Sequence, residues 1–342
     1  MPYPKPLSEK SLKRLYSEAG ISEEQASFLR DFFTACANLY GAIMAEDAWD
    51  VYRELSSKTE TVFMHRRDMY AALGVLRREP VPFYVFEQDE VYTDEDRSEK
   101  YRIVVLKDLV GSGYGKFTLF YHVIDIAYGK TFFVPANFMD YTVMPENKYE
   151  TELLDMLGRL KCTMSEYEDE RGVKHPCKHK GKYLKDFPYI GEDEAFELAR
   201  LRGEIDGYKG NEKKAAEYEK EINSVSAAQY VVDQLKADSS IGYLSVTKII
   251  QEFFEILTKL GVSFSSDKQI NKFLAAVSNM HNNQHQWCLR GWTPHELSAQ
   301  NPSRGPLRIS FGPSMQKAFA DGNMDKNEVV EKMKAMGIEV VE

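Results

Sequence analysis

The chain has 342 residues, 43% of them hydrophobic and 28% charged, with a net charge of −9. That length and composition exclude a disordered chain and a disulfide-stapled miniprotein, and leave room for several cores. The acidic excess is local: 1–80 carries 11 Lys and Arg against 12 Asp and Glu, 81–170 carries 9 against 18, and 171–342 carries 24 against 23.

A membrane span needs about 20 mostly apolar residues. The most apolar helix-like stretch, Ile249 to Leu260, is broken by Gln251, Glu252, Glu255 and Lys259. No membrane partner is expected. Met1 to Ser8 has no apolar run behind its charge, so no secretory signal is expected. Cys36, Cys162, Cys177 and Cys288 are sparse and widely spaced, which suits a reducing cytoplasm.

Residues 1–80 read as helices. Ser22 with Glu23 and Glu24 is a helix start. Phe28, Leu29, Phe32, Phe33, Cys36 and Leu39 follow at helical spacing until Gly41. Further helices are predicted near Ala45–Leu55 and His65–Arg78. With Phe83–Phe86 as a strand, the order suggests a winged-helix-like module, although 56–64 is long for a tight helix–turn–helix link. Residues 81–150 read as a small, acidic β-rich module, with strands at Tyr101–Leu106, Phe117–Ile126 and Thr131–Val134. An acidic middle argues against nucleic-acid contact there and leaves the ends as candidates.

Residues 151–190 read as a helix from Tyr149 and a basic connector loop. Residues 191–300 read as a helical hairpin followed by a helical bundle. Tyr218, Ile222, Val225, Ala228, Val232 and Leu235 form an apolar stripe suited to packing on another helix, and so to a structural or oligomerising role. A small α/β segment is predicted for 301–342, with strands at Leu307–Phe311 and Ile338–Val341. The fold class is therefore α+β and predominantly α-helical.

Two sets of residues are candidates for function. His65, Arg66, Arg67, Arg77 and Arg78 fall along one side of the predicted 65–78 helix and could track a phosphate backbone. A solvated face with local ion pairs explains them equally well, since Asp68 and Glu79 adjoin them. His281, His285 and Cys288 recur at i, i+4 and i+7, so one helix face could present them to zinc. The alternative is a helix end whose polar residues bond a neighbouring module. Cys162, His175, Cys177 and His179 have zinc-ligand chemistry without paired-knuckle spacing. The basic residues Arg171, Lys174, Lys178, Lys180, Lys182 and Lys185 could hold phosphate, or pair with the acidic 166–170 run. Gly111–Gly115 lacks a phosphate-loop ending, and no nucleophile motif is present.

Asn282 or Asn283, Trp287, Gly291, Thr293, Pro294, Glu296 and Leu297 resemble a segment of uncharacterised bacterial proteins that often end in a SEC-C zinc motif. The cysteine-rich ending is absent here, so the resemblance implies no zinc. Thr293-Pro294-His295-Glu296 also has the form of a helix-capping box. The residues together favour a non-enzymatic protein that binds a protein or nucleic-acid partner. A metal-dependent protein or hydrolase centred on His281, His285 and Cys288 is the alternative.

Overall fold

Helix α1 (Glu9–Glu18) starts on Ser8, whose hydroxyl accepts from the Ser11 amide. Helix α2 (Glu23–Tyr40) starts on a reciprocal cap: Ser22 Oγ accepts from the Gln25 amide, and Gln25 Oε1 accepts from the Ser22 amide. It stops at Gly41, where φ is +68°. These features belong to a computed structural model that describes residues 3–92, 98–111, 116–169, 171–205, 208–242, 244–300, 307–309, 330 and 338–340. The protein is an α+β, predominantly α-helical chain. It divides into two compact units, Met1–Pro294 and His295–Glu342.

The first unit begins with a head of helices closed by a small sheet. After α2 come β1 (Ala42–Met44), α3 (Ala45–Lys58), α4 (Arg66–Leu76), β2 (Phe83–Phe86) and, beyond a short α5 (Gln88–Val91), β3 (Ile103–Leu106). The strands form an antiparallel sheet in the order β1-β3-β2, with Val104 opposite both Ile43 and Val85. Leu29, Phe32, Phe33, Cys36 and Leu39 of α2 are fully buried in the head's core. The 59–65 link, long for a tight turn, is tied down from α2 and α3: Gln25 Nε2 donates to the Phe63 carbonyl, and Ser56 Oγ lies 2.8 Å from Thr61 Oγ1. Tyr52 Oη donates to the Val62 carbonyl and accepts from the Met64 amide.

The sheet joins stretches that the sequence reads as separate. Strand β3, expected in a middle module, pairs with β2 and with β1 in a sheet begun at residue 42. The expected strand Phe117–Ile126 is instead helix α6 (Thr118–Ala127). Its buried positions, Phe120, Val123 and Ala127, recur at three and four, and that helical period overrides the β propensity of the residues. Thr131–Val134 is irregular chain that bonds elsewhere, with the Phe133 amide donating to Arg290 O.

A second core follows. Helix α7 (Lys148–Gly158) leads to the small antiparallel hairpin β4 (Glu166–Glu168) and β5 (Lys174–Pro176). Helices α8 (Glu192–Arg202) and α9 (Glu212–Ile222) form the expected hairpin. Then come α10 (Ala227–Ile241), α11 (Val246–Lys259), α12 (Asp267–Asn282) and α13 (Pro294–Gln300). Ser226 caps α10 and so splits the predicted Tyr218–Leu235 stripe between two helices. Its α10 part, with Ala228, Val232 and Leu235, is buried against Phe253 and Phe273 rather than left for a partner helix. In the second unit β6 (Leu307–Ile309) pairs in parallel with β7 (Ile338–Val340), where strands were expected. The helices expected between them lie outside the described residues. Among the described residues no helix is long and apolar enough to cross a membrane.

Truncating Leu235 to alanine removes three carbons from this second core. Leu235→Ala is expected to lower unfolding free energy by about 2–5 kcal/mol in urea titrations. A loss under about 0.5 kcal/mol would place Leu235 on a surface instead.

Candidate functional site

The basic residues of α4 do not form one stripe. His65 is exposed at the helix start, and its ring meets Phe63 edge-on at 4.8 Å. Arg66 donates to Tyr70 Oη at 2.7 Å and to Glu46 Oε1 at 2.8 Å. Those partners hold its guanidinium pKa above the ordinary value, the Tyr70 hydrogen bond first. Arg67 extends into solvent beside Asp68. Arg77 corrects the expectation. The helix ends at Leu76, and the Arg77 side chain turns inward to make a two-pronged pair with the Glu90 carboxylate. It also lies over the Tyr3 ring, with its side chain 15% exposed. Arg78 is exposed, and its carbonyl accepts from the Leu7 amide. His65, Arg67 and Arg78 therefore remain at the surface, while Arg77 ties α4 to α5.

The surroundings of α4 are acidic. The first turn of α3 carries Glu46 and Asp47, and Asp50 follows one turn later. The segment between β2 and β3 contributes Glu87, Asp89, Glu90 and Glu99. From Glu23 to Leu106 there are 10 Lys and Arg against 17 Asp and Glu.

His281, His285 and Cys288 do not share a helix face, because α12 stops at Asn282. His281 Nδ1 lies 3.0 Å from Ser239 Oγ on α10. His285 uses both ring nitrogens: Nδ1 is 2.6 Å from Gly291 O and Nε2 is 3.1 Å from Tyr141 Oη. Since Gly291 O can only accept, Nδ1 carries the proton and Nε2 accepts from the tyrosine. The Cys288 thiol packs on Gly242 and lies 3.7 Å from Gln286 Oε1. Burial pushes that thiol up to about 11, away from the thiolate a metal prefers. Among the described residues no three His, Cys, Asp or Glu side chains converge as a metal site. The expectation of one shared helix face is therefore corrected: the three side chains are bonded to different partners around a helix end.

These residues instead form a clasp. Trp287 Nε1 donates to Asn38 O at 2.9 Å, and its ring covers Gly41 at the end of α2. A Cβ at Gly41 would lie 2.8 Å from Trp287 Cγ. Gly291, at φ +83°, brings its backbone onto the Tyr40 ring. Trp292 Nε1 reaches Thr131 O at 3.0 Å, and Arg290 Nε reaches Ala127 O at 3.2 Å. Gln284 Nε2 donates to Lys236 O and Ser240 Oγ of α10. The 283–292 segment thus fastens α2, α6 and α10 together. Trp287 and Gly291 were visible in the sequence, but their partners lie some 250 residues away. Beside the clasp a cleft of about 540 Å³ is lined by Asn38, Asp108, Glu150, Lys236, His285 and Trp287, with Lys236 Nζ 2.8 Å from Glu150.

In the second His and Cys set the two thiols lie near each other, with burial first and Cys177 next raising the Cys162 pKa, while the histidines bond and stack elsewhere. His175 pairs with Asp169 at 2.9 Å and stacks on Tyr167, and His179 stacks on Phe187 at 3.9 Å. Cys162 and Cys177 are buried thiols raised above their ordinary values by desolvation. The basic run is partly neutralised from within, by Lys174 on Glu166 at 2.7 Å, and Lys180 bonds Ser165 Oγ.

No family model matches the chain, and searches of curated proteins and of solved structures return no significant match.

Two outcomes test the clasp. Gly291→Ala places a Cβ 2.9 Å from Tyr40 at a positive φ, and is expected to cost about 1 kcal/mol or more in chemical unfolding. Burial holds His281 below its ordinary 6.5. As pH falls the unfolded chain takes that proton first, so stability present above about 6.5 is lost toward acid. The unfolding midpoint of His281→Gln is expected to fall less between about pH 7 and about pH 5 than that of the parent. Equal slopes would remove His281 from the acid response.

Proposed function

We propose that the protein is a non-catalytic binding protein whose winged-helix head takes a basic protein segment rather than nucleic acid. The observation that carries this reading is the charge around α4. A winged helix that reads DNA presses its third helix and wing against phosphates, and such binding rests on Lys and Arg neutralising them. Here Glu46 bonds Arg66 of α4, Asp47 and Asp50 follow on α3, and the wing segment carries Glu87 and Glu99 around Arg102. Arg77 is spent on Glu90, and Arg66 on Glu46 and Tyr70.

Phe63 supports a protein partner. It is 71% exposed just before α4, beside His65. Aromatic side chains are enriched at protein interfaces. The acidic excess of the head adds steering and selectivity for a basic segment.

Fluorescence anisotropy separates the two partner classes. Labelled duplex and single-stranded DNA are expected to show no binding even at low salt. A labelled arginine-rich peptide is expected to bind and to weaken with added salt and in a Phe63→Ala, Asp50→Asn variant. DNA binding that weakens with salt and on Arg67→Ala would overturn the reading, as would an arginine-rich peptide that fails to bind.

A further inference from the structure

The side of the head formed by α1 contains a cavity of about 840 Å³. That volume is in the range of small-molecule sites, about 300–1,000 Å³. It lies between α1, the Gly20–Ser22 turn, the start of α2 and Glu79-Pro80. Leu12, Tyr16, Ile21, Ala26 and Pro80 give it apolar walls. None of the candidate residues read from the sequence lines it.

Its rim is charged, with the exposed Lys13 paired to Glu9 and Glu23, and Tyr16, Arg30 and Glu79 line it behind that rim. The Glu79 side chain is only 5% exposed, and its Oε1 has no hydrogen bond of normal geometry. Arg30 Nη1 stands 3.6 Å from that oxygen, close enough for attraction and too far for a hydrogen bond. Tyr16 Oη is buried near both of them, and burial, with Glu79 beside it, raises its pKa. Leaving a buried acceptor unmet costs about 1–3 kcal/mol, and more for a charged one. Native structures satisfy nearly all such groups, and an unsatisfied one marks a place where another molecule belongs.

The charges narrow the ligand class. An amine alone would put a second cation beside Arg30. An anion alone would press against the buried Glu79 carboxylate. A molecule carrying both charges on neighbouring atoms can give its ammonium to Glu79 and its carboxylate to Arg30, leaving an apolar body for the walls. We infer that this cavity binds a free α-amino acid with an apolar side chain. The site is separate from the exposed face of α4, and the inference does not rest on the partner proposed for that face.

Isothermal titration calorimetry of the full chain with L-leucine and L-phenylalanine tests it. Saturable binding by at least one is expected. N-acetyl-leucine and leucine methyl ester each lack one charge, and both are expected to bind more than about tenfold more weakly than leucine. Glu79→Gln and Arg30→Gln should each weaken binding by a similar factor, with Glu9→Gln at the cavity mouth as the control. Circular dichroism melts check that the variants fold. The blocked ligands probe the unaltered protein, so the test survives a variant that does not fold. No binding by either amino acid would overturn the inference. Undiminished binding of a blocked ligand would overturn it too.

Discussion

The indole of Trp287 occupies the space that a side chain at position 41 would need, and its N–H closes on the carbonyl of Asn38. Only a residue without a Cβ can sit there at φ +68°. This contact turns a helix end into a socket. Around it, Gly291 lies on Tyr40, Arg290 reaches Ala127, and Gln284 reaches α10. The head and the second helical core each have their own buried cluster. The clasp links them through part-buried hydrogen bonds, most of them to main-chain groups. Such bonds are directional, and their loss would leave buried groups unmet.

Electrostatics divides the head into two sides of different use. Around α4 the acidic groups outnumber the exposed cations, which suits a basic partner and opposes phosphate. On the α1 side Lys13 pairs with Glu9 and Glu23 at the exposed rim, while the pair behind it, Arg30 and Glu79, lacks the hydrogen bond that would make it complete. The Arg77–Glu90 pair makes the contrast plain. It is similarly shielded, but there the guanidinium and carboxylate engage through two hydrogen bonds. One pair is part of the framework; the other has capacity left over.

Local signals carried much of this fold. The Ser22 cap, the apolar period of α2 and the stop at Gly41 follow from short-range stereochemistry, so they were legible. The succession of helices from α2 to α4 and the strand at Phe83–Phe86 were legible for the same reason. The Phe117–Ile126 stretch misled, because its residue types favour a strand while the spacing of Phe120, Val123 and Ala127 is helical. The single helix face expected for His281, His285 and Cys288 misled because helical spacing was carried past Asn282, where α12 ends. Whether Arg77 faces solvent depends on Glu90 across a chain reversal, and no local pattern reports that. The α1 cavity is formed by segments from Leu7 to Pro80, and its unmet carboxylate can be seen only once they are folded together.

Native-state hydrogen exchange on Trp287→Ala tests most directly whether the clasp unites the first unit. If Trp287 is the common fastening, amides of α2, α6 and α10 lose protection together and by a similar factor. If protection falls only within 283–292 and those helices keep theirs, the clasp is a local turn and the account is wrong.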